Sequence, residues 1–454
     1  MRGTRRFAVV LSAAAALAAA PIPAQQAEAT AEARELRLDW GFEAKAHYRD
    51  SEHLRLPSPF PFPPGFLPPG AQQGFMETVN EGRHFELSVL TLFADLAWGE
   101  NLAAHAKVDL IDLHDRNPTS SDKKVDVDEL WIRFGRDPAL PASGFGLYAK
   151  IGKFAHFERQ NDRHLESYGL VATALKRFED QGLELGADFG RHVYLRLSAT
   201  QGNPLFLRDP NALAGDNGTP ELDPQANPNP DPALKSGFTI LYDAEVEDLD
   251  VDGDLETGAG LGVRFGDPDE GRAFDLLAWS YERKLAPRVA LEGTYYGGDL
   301  DLLDGPDGVA RLPISGDDKS EVGGNLRIHL GGFSLFGQYV AQEIAGMDRT
   351  GYEAELAWRF ELPLVWAVGG RQLFPSIQPA LRWSRLEPEF EGGSPRFPAP
   401  SVRWEWVKLD YGIRMAIIEG VDLTLEFADH TMTLANGREV SNDELLTTLR
   451  WRVR

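Results

Sequence analysis

The chain has 454 residues, no cysteine and a formal net charge of −24. That length exceeds one ordinary soluble domain. Lack of cysteine excludes disulfides, zinc–thiolate centres and thiol nucleophiles, and the negative charge argues against nucleic acid as a partner.

The first residues have the three parts of a secretory signal. Arg2, Arg5 and Arg6 are a positive start, Phe7 to Ala20 is an alanine-rich apolar run, and Pro21-Ile22-Pro23-Ala24 offers a cleavage site. The reading is a signal peptide over 1–24, a short periplasmic segment over 25–34 and one folded unit over 35–454. The apolar run is shorter than the roughly 20 residues of a spanning helix, and no later stretch approaches that length. A secreted soluble protein would share these features, so periodicity decides.

Alternation is clear from the first predicted strand. Leu36, Leu38, Trp40, Phe42, Ala44, Ala46 and Tyr48 interleave with Arg37, Asp39, Gly41, Glu43, Lys45, His47 and Arg49. Strand side chains point alternately to two faces, so one face is apolar and the other charged. A run of about 14 residues is long for a soluble strand and sufficient for a tilted bilayer crossing. The same pattern recurs at 183–189, 193–200, 325–330, 352–360, 407–417, 421–427 and 445–453. Tight turns at 99–101, 190–191, 331–332 and 419–420 alternate with long polar stretches at 50–82, 155–179, 203–235, 301–318 and 389–403. Short turns on one side and long loops on the other mark a bacterial outer-membrane barrel. Such a sheet must close, because an open edge in lipid leaves backbone groups unpaired. The fold class is therefore all-β, a transmembrane antiparallel barrel. The count is 18 strands, with 16 as the alternative; the doubtful strands lie around 236–246 and 255–266. Either count leaves room for an aqueous channel.

The stretch Tyr148-Ala149-Lys150-Ile151-Gly152-Lys153-Phe154, the charged loop after it and then Gln181-Gly182-Leu183-Glu184-Leu185 resemble the phosphate-selective porin O and P family. Arg83 to Asp109, two strands about a tight turn, resembles it as well. The charged lumen and the count of 18 are similar to the alginate-export porins. The resemblance implies a porin-like channel whose third extracellular loop follows Phe154. The chain departs from such barrels at its end, Trp451-Arg452-Val453-Arg454, where an aromatic residue is usual.

If apolar faces meet lipid, polar faces line the lumen. Basic candidates for the pore wall are Lys150, Arg196, Arg327, Arg382, Arg414, Arg450 and Arg452. Inward acids nearly balance the inward bases, which places the net negative charge mostly in loops. The third loop is the candidate constriction, with His156, Glu158, Arg159, Asp162, Arg163, His164, Lys176 and Arg177; charge at a narrow point governs selectivity. Asp248, Asp250 and Asp252 match the front of a calcium loop, D-x-D-x-D-G, but Ala259 stands where the bidentate glutamate belongs, so an acidic turn is the competing reading. Among 10 histidines no local motif marks a hydrolase, and no enzyme is expected. The function expected is a passive channel for ions or small hydrophilic solutes in the outer membrane of a Gram-negative bacterium, with anion preference an open question. Export of a polyanionic polysaccharide, an adhesin and a hydrolase are the alternatives. The partners expected are outer-membrane lipid, the barrel assembly machinery and the solutes, with a homotrimer as one open assembly.

Overall fold

The computed structural model describes residues 36–51, 82–111, 125–138, 144–160, 162–175, 179–202, 255–267, 271–285, 315–392, 403–433, 437–441 and 443–453, with a few short pieces of the connections. The signal peptide, the segment 25–34, Lys176, Arg177 and the acidic stretch with Asp248, Asp250 and Asp252 lie outside the described residues.

A closed antiparallel barrel of 16 strands forms the body. In chain order they are β1 (Leu36–Ser51), β2 (Gly82–Trp98), β3 (Leu102–Ile111), β4 (Val125–Gly135), β5 (Phe145–Ala155), β6 (Glu179–Phe189), β7 (Val193–Thr200) and β8 (Glu256–Asp267). The second half is β9 (Arg272–Lys284), β10 (Asp318–Leu330), β11 (Phe333–Ile344), β12 (Met347–Trp358), β13 (Ser376–Pro388), β14 (Glu405–Ile418), β15 (Val421–Thr433) and β16 (Glu444–Val453). Each strand pairs with its neighbours in sequence, and β1 closes on β16 with Phe42 opposite Val453 and Ser51 opposite Glu444.

The count of 18 is thus corrected to 16. The stretch 255–266 falls on a barrel strand, but the described part of 236–246 does not. That part, Asp243–Val246, pairs with Leu205–Arg208 and Leu291–Tyr295 in a small sheet outside the barrel. Alternation there lasts too few residues for a crossing, which takes about 9–11. Barrel strands end at Thr200 and Lys284 and resume at Glu256 and Asp318, so the connections between them are longer than the stretches expected at 203–235 and 301–318. One connection on the loop side is tight, at Ala345-Gly346, where both residues adopt positive φ.

Facing follows the alternation. On β12, Leu356 and Trp358 are exposed outward, while Glu353 and Glu355 are buried inward. Exposed Trp40, Trp98, Phe134, Phe145, Phe189, Phe265, Trp358 and Trp451 ring the turn-side ends of their strands. Amphipathic rings favour the membrane–water boundary, so this ring is an aromatic girdle. The interior is not uniformly polar, however. Trp279, Trp406 and Leu277 are buried inside the barrel wall, and the third loop explains them.

Candidate functional site

The segment 156–175 folds back into the barrel and docks on the inner face of β9 to β15. Glu158 anchors its start: the Tyr281 hydroxyl donates to the Glu158 carboxylate at 2.6 Å. Asn325 and Arg327 donate to the Glu158 carbonyl, and Arg327 also donates to the Arg159 carbonyl at 2.5 Å. Further along, the His164 backbone N–H donates to Glu355 at 2.9 Å and its ring Nδ1 lies 2.8 Å from the same oxygen. The Glu166 and Ser167 backbone N–H groups donate to Glu426, the former at 2.7 Å. Lys408 donates to the Tyr168 carbonyl at 2.8 Å. A segment without regular secondary structure must satisfy its buried backbone in this way.

The loop also has an apolar side. A single turn of helix, α1 (Leu170–Ala174), places Leu170 against Leu386, Trp404, Trp406 and Met432, and Val171 against Leu277, Trp279 and Val340. Leu165 packs with Ala357 and Ala380. Each such side chain contributes about 1.5–3 kcal/mol when fully buried. Inward glycines on the wall leave the space: a Cβ on Gly351 would meet Val171 at 3.1 Å, and one on Gly412 would meet Leu165 at 3.0 Å.

Docking on one half of the wall leaves a cavity of about 730 Å³ against the other half. Lys45, Lys107, Glu129, Trp131 and Lys150 line it from β1 to β5, Glu184 and Arg196 from β6 and β7, Arg414 and Arg450 from β14 and β16, and Phe157, Arg159, Gln160, Arg163, Glu166 and Tyr168 from the loop. Lys150 pairs with Glu184 at 3.1 Å and lies over the Phe154 ring at 4.4 Å. Arg196 pairs with Asp188 at 3.1 Å. Arg452 donates to Glu43 at 2.6 Å, and Arg450 to Asp422 at 2.7 Å. Arg414 donates to Glu166 at 2.9 Å.

Glu166 is the hub. Lys45 lies at 3.0 Å, Arg414 at 2.9 Å and Arg450 at 4.0 Å, so the loop carboxylate joins β1, β14 and β16. Burial would by itself raise its pKa, but Lys45, Arg414, Arg450 and Arg163 together hold the carboxyl well below the usual carboxylate range. Arg163 differs from the other cations. It stacks on Tyr168, with the guanidinium 3.9 Å from the ring centroid, and no carboxylate among the described residues lies within ion-pair distance.

Other candidates from the sequence lie elsewhere. Arg382 faces inward but sits fully buried under the loop, bonded to Asp410 at 2.7 Å and to Ser167 at 2.6 Å. Arg327 is a loop anchor. Arg159 pairs with Glu179, and Asp162 faces His329 at 3.5 Å. His156 lies 3.9 Å from both Glu158 and Asp180. With Asp180 and Glu256 it forms a group of metal-ligand type, but Asp180 accepts from the Gln181 and Gly202 backbone, and Glu256 is paired to Lys319 at 2.6 Å. The uncharged run 170–175 inside a charged loop is the sequence signal for the apolar anchors Leu170 and Val171, whereas Leu165, set between His164 and Glu166, carries no such signal.

No protein-family model and no curated protein matches the chain. Among solved structures, the outer membrane channel DcaP of Acinetobacter baumannii superposes with a TM-score of 0.50 at 7% identity, over 92% of this chain and 97% of that one. The fold is that of an outer-membrane porin. OprB of Pseudomonas putida gives a TM-score of 0.48 at 9% identity, over 92% of this chain and 94% of that one. The anion-selective porin of Comamonas acidovorans gives 0.45 at 8%, over 92% and 100%. The porin barrel accounts for the apolar exterior, the polar lumen and the alternation of turns and loops.

Proposed function

We propose that the chain is a diffusion channel for small hydrophilic solutes across the outer membrane of a Gram-negative bacterium, narrowed by the loop 156–175 and biased toward anions. The observation that carries the reading is the docked loop, which confines the remaining lumen to a path chiefly between itself and the wall from β16 through β1 to β7. Along that path most charges are paired, and paired charges largely cancel at a distance. Among the described lysines and arginines lining the path, Arg163 alone has no carboxylate within ion-pair distance, so its charge is the basic one least opposed by a direct partner. Charges at a narrow point count for more than charges on a wide wet wall, because the effective dielectric is lower there. The strand-to-loop likeness to the phosphate-selective porin O and P family supports a channel and leaves the solute open.

Purified protein in planar bilayers tests this. Arg163→Gln moves the reversal potential in a salt gradient toward cation selectivity, and deleting 157–177 raises single-channel conductance. A folded deletion barrel of unchanged conductance would place the constriction elsewhere.

A further inference from the structure

The connection between β12 and β13 is unlike the other described turns on its side of the barrel. Those at 99–101, 190–192, 331–332 and 419–420 are short, whereas this one runs over 359–375. It is an ordered hairpin. Val368 pairs with Arg371 and Ala367 with Gln372 across Gly369-Gly370. Both glycines adopt positive φ, 58° and 80°, as a two-residue hairpin turn requires. The Leu373 N–H donates to the Trp366 carbonyl at 2.9 Å, and the Leu362 N–H donates to the Pro375 carbonyl at 2.8 Å.

One arm of this finger is Leu362-Pro363-Leu364-Val365-Trp366-Ala367-Val368, with no charge and no polar side chain. Leu364, Val365, Trp366 and Val368 are each about three-fifths or more exposed. An apolar run of this size in open water is unfavourable, and contiguous exposed apolar surface marks a contact. Its root identifies the contact. Phe360 stacks face to face on Trp358, 5.7 Å between centroids at 4°, and Trp358 belongs to the aromatic girdle. Along the strand parity that faces lipid, Trp358, Phe360 and Leu362 follow one another from the wall to the finger, while Arg359 and Glu361, an exposed ion pair, occupy the alternate positions. A tryptophan near the end of the apolar arm and the exposed Arg371 beside the turn suit the headgroup boundary.

We infer that the hairpin 359–375 is a membrane anchor, whose apolar arm lies in the headgroup region of the phospholipid leaflet at the turn-side rim. The partner is lipid; a second copy of the chain and a periplasmic protein are the competing occupants.

The chain has no cysteine, so one introduced thiol carries a label uniquely. Val365→Cys bears an environment-sensitive fluorophore, and Glu100→Cys in a short turn of the same rim serves as the aqueous reference. The full barrel is folded into phosphatidylethanolamine–phosphatidylglycerol vesicles, and folding is checked by heat-modifiable gel mobility. The expected result is blue-shifted emission at position 365, with quenching by headgroup-proximal spin-labelled lipid about threefold stronger than at position 100 and iodide quenching correspondingly weaker. This pattern persists when protein is diluted in lipid. If Val365→Cys does not fold, Ala367→Cys replaces it. Emission and iodide access equal to those at position 100 would overturn the anchor. Lipid protection lost on dilution would assign the finger to a second copy instead.

Discussion

Glu166→Gln probes the joint between loop and wall. The side chain is nearly fully buried and faces three cations within 4.0 Å. Glutamine keeps the shape and removes the charge. An ion passing about 8 Å away, at an effective dielectric of about 40, feels about 1 kcal/mol from a unit charge. Screening reduces this little at 0.01 M salt and to about 0.4 kcal/mol at 0.15 M. Relative anion permeability should then rise about fourfold in the dilute salt and about twofold in the concentrated one. Docking weakens as well, because breaking a buried pair strands its partners; with the cations partly hydrated the cost is about 1–3 kcal/mol. The pH dependence has a definite sign. A carboxyl whose folded pKa is depressed contributes stability above its unfolded pKa, near 4.5, and loses it as pH falls through the lower folded value. The native loop therefore stays docked through pH 5 and releases only in stronger acid, whereas Glu166→Gln shows no such acid transition from this group. Reversal potentials and open-channel noise in planar bilayers report both effects. Identical selectivity at both salt concentrations would refute the placement of Glu166 beside the ion path.

Three further outcomes follow from the packing. Leu195→Arg and Leu409→Arg, on outward faces of β7 and β14, each lower the folded yield in lipid vesicles, since a charge near mid-bilayer costs about 2–4 kcal/mol in barrels; unchanged yield would reverse the assigned faces. Gly351→Leu intrudes on Val171, already 3.1 Å from a bare Cβ. Overpacking of about 1–3 kcal/mol should loosen α1 and speed proteolysis within 156–179, and an unchanged cleavage rate would mean that the wall yields instead. Arg159→Gln, by contrast, changes selectivity less than Arg163→Gln, because Arg159 is paired to Glu179.

The barrel was legible because lipid on one side and water on the other impose a period of two on every crossing. That signal read 407–417 and 421–427 correctly, down to which residues face inward. It misled at 236–246, where alternation over a few residues is no evidence of a crossing. The loop's charges were also legible, but its choice of wall was not. Glu166 meets Arg414 across 248 positions, and nothing local predicts that partnership. Arg382 shows the consequence: inward by parity, it lies behind the loop because the loop docks on its half of the barrel. The inward glycines at Gly351 and Gly412 were readable as gaps in the wall, though only once something was known to fill them. The finger at 359–375 escaped because the run 362–368 has no alternation at all.

The seam between β1 and β16 joins residues some 400 positions apart, so no turn sets its alignment. Inside the barrel, Arg49 holds Glu444 at 2.5 Å, His47 meets Thr448 at 2.6 Å and Arg452 reaches Glu43 at 2.6 Å. A slip of one residue would turn one partner of each pair toward lipid, and a slip of two would separate them. The seam thus works as a key. Closure is the slowest kind of contact for a chain to find, being the most distant in sequence, and the polar pairs reward only one alignment when it is found. Barrels carrying Arg49→Leu should close more slowly and in mixed register, even where their finished walls are equally apolar outside.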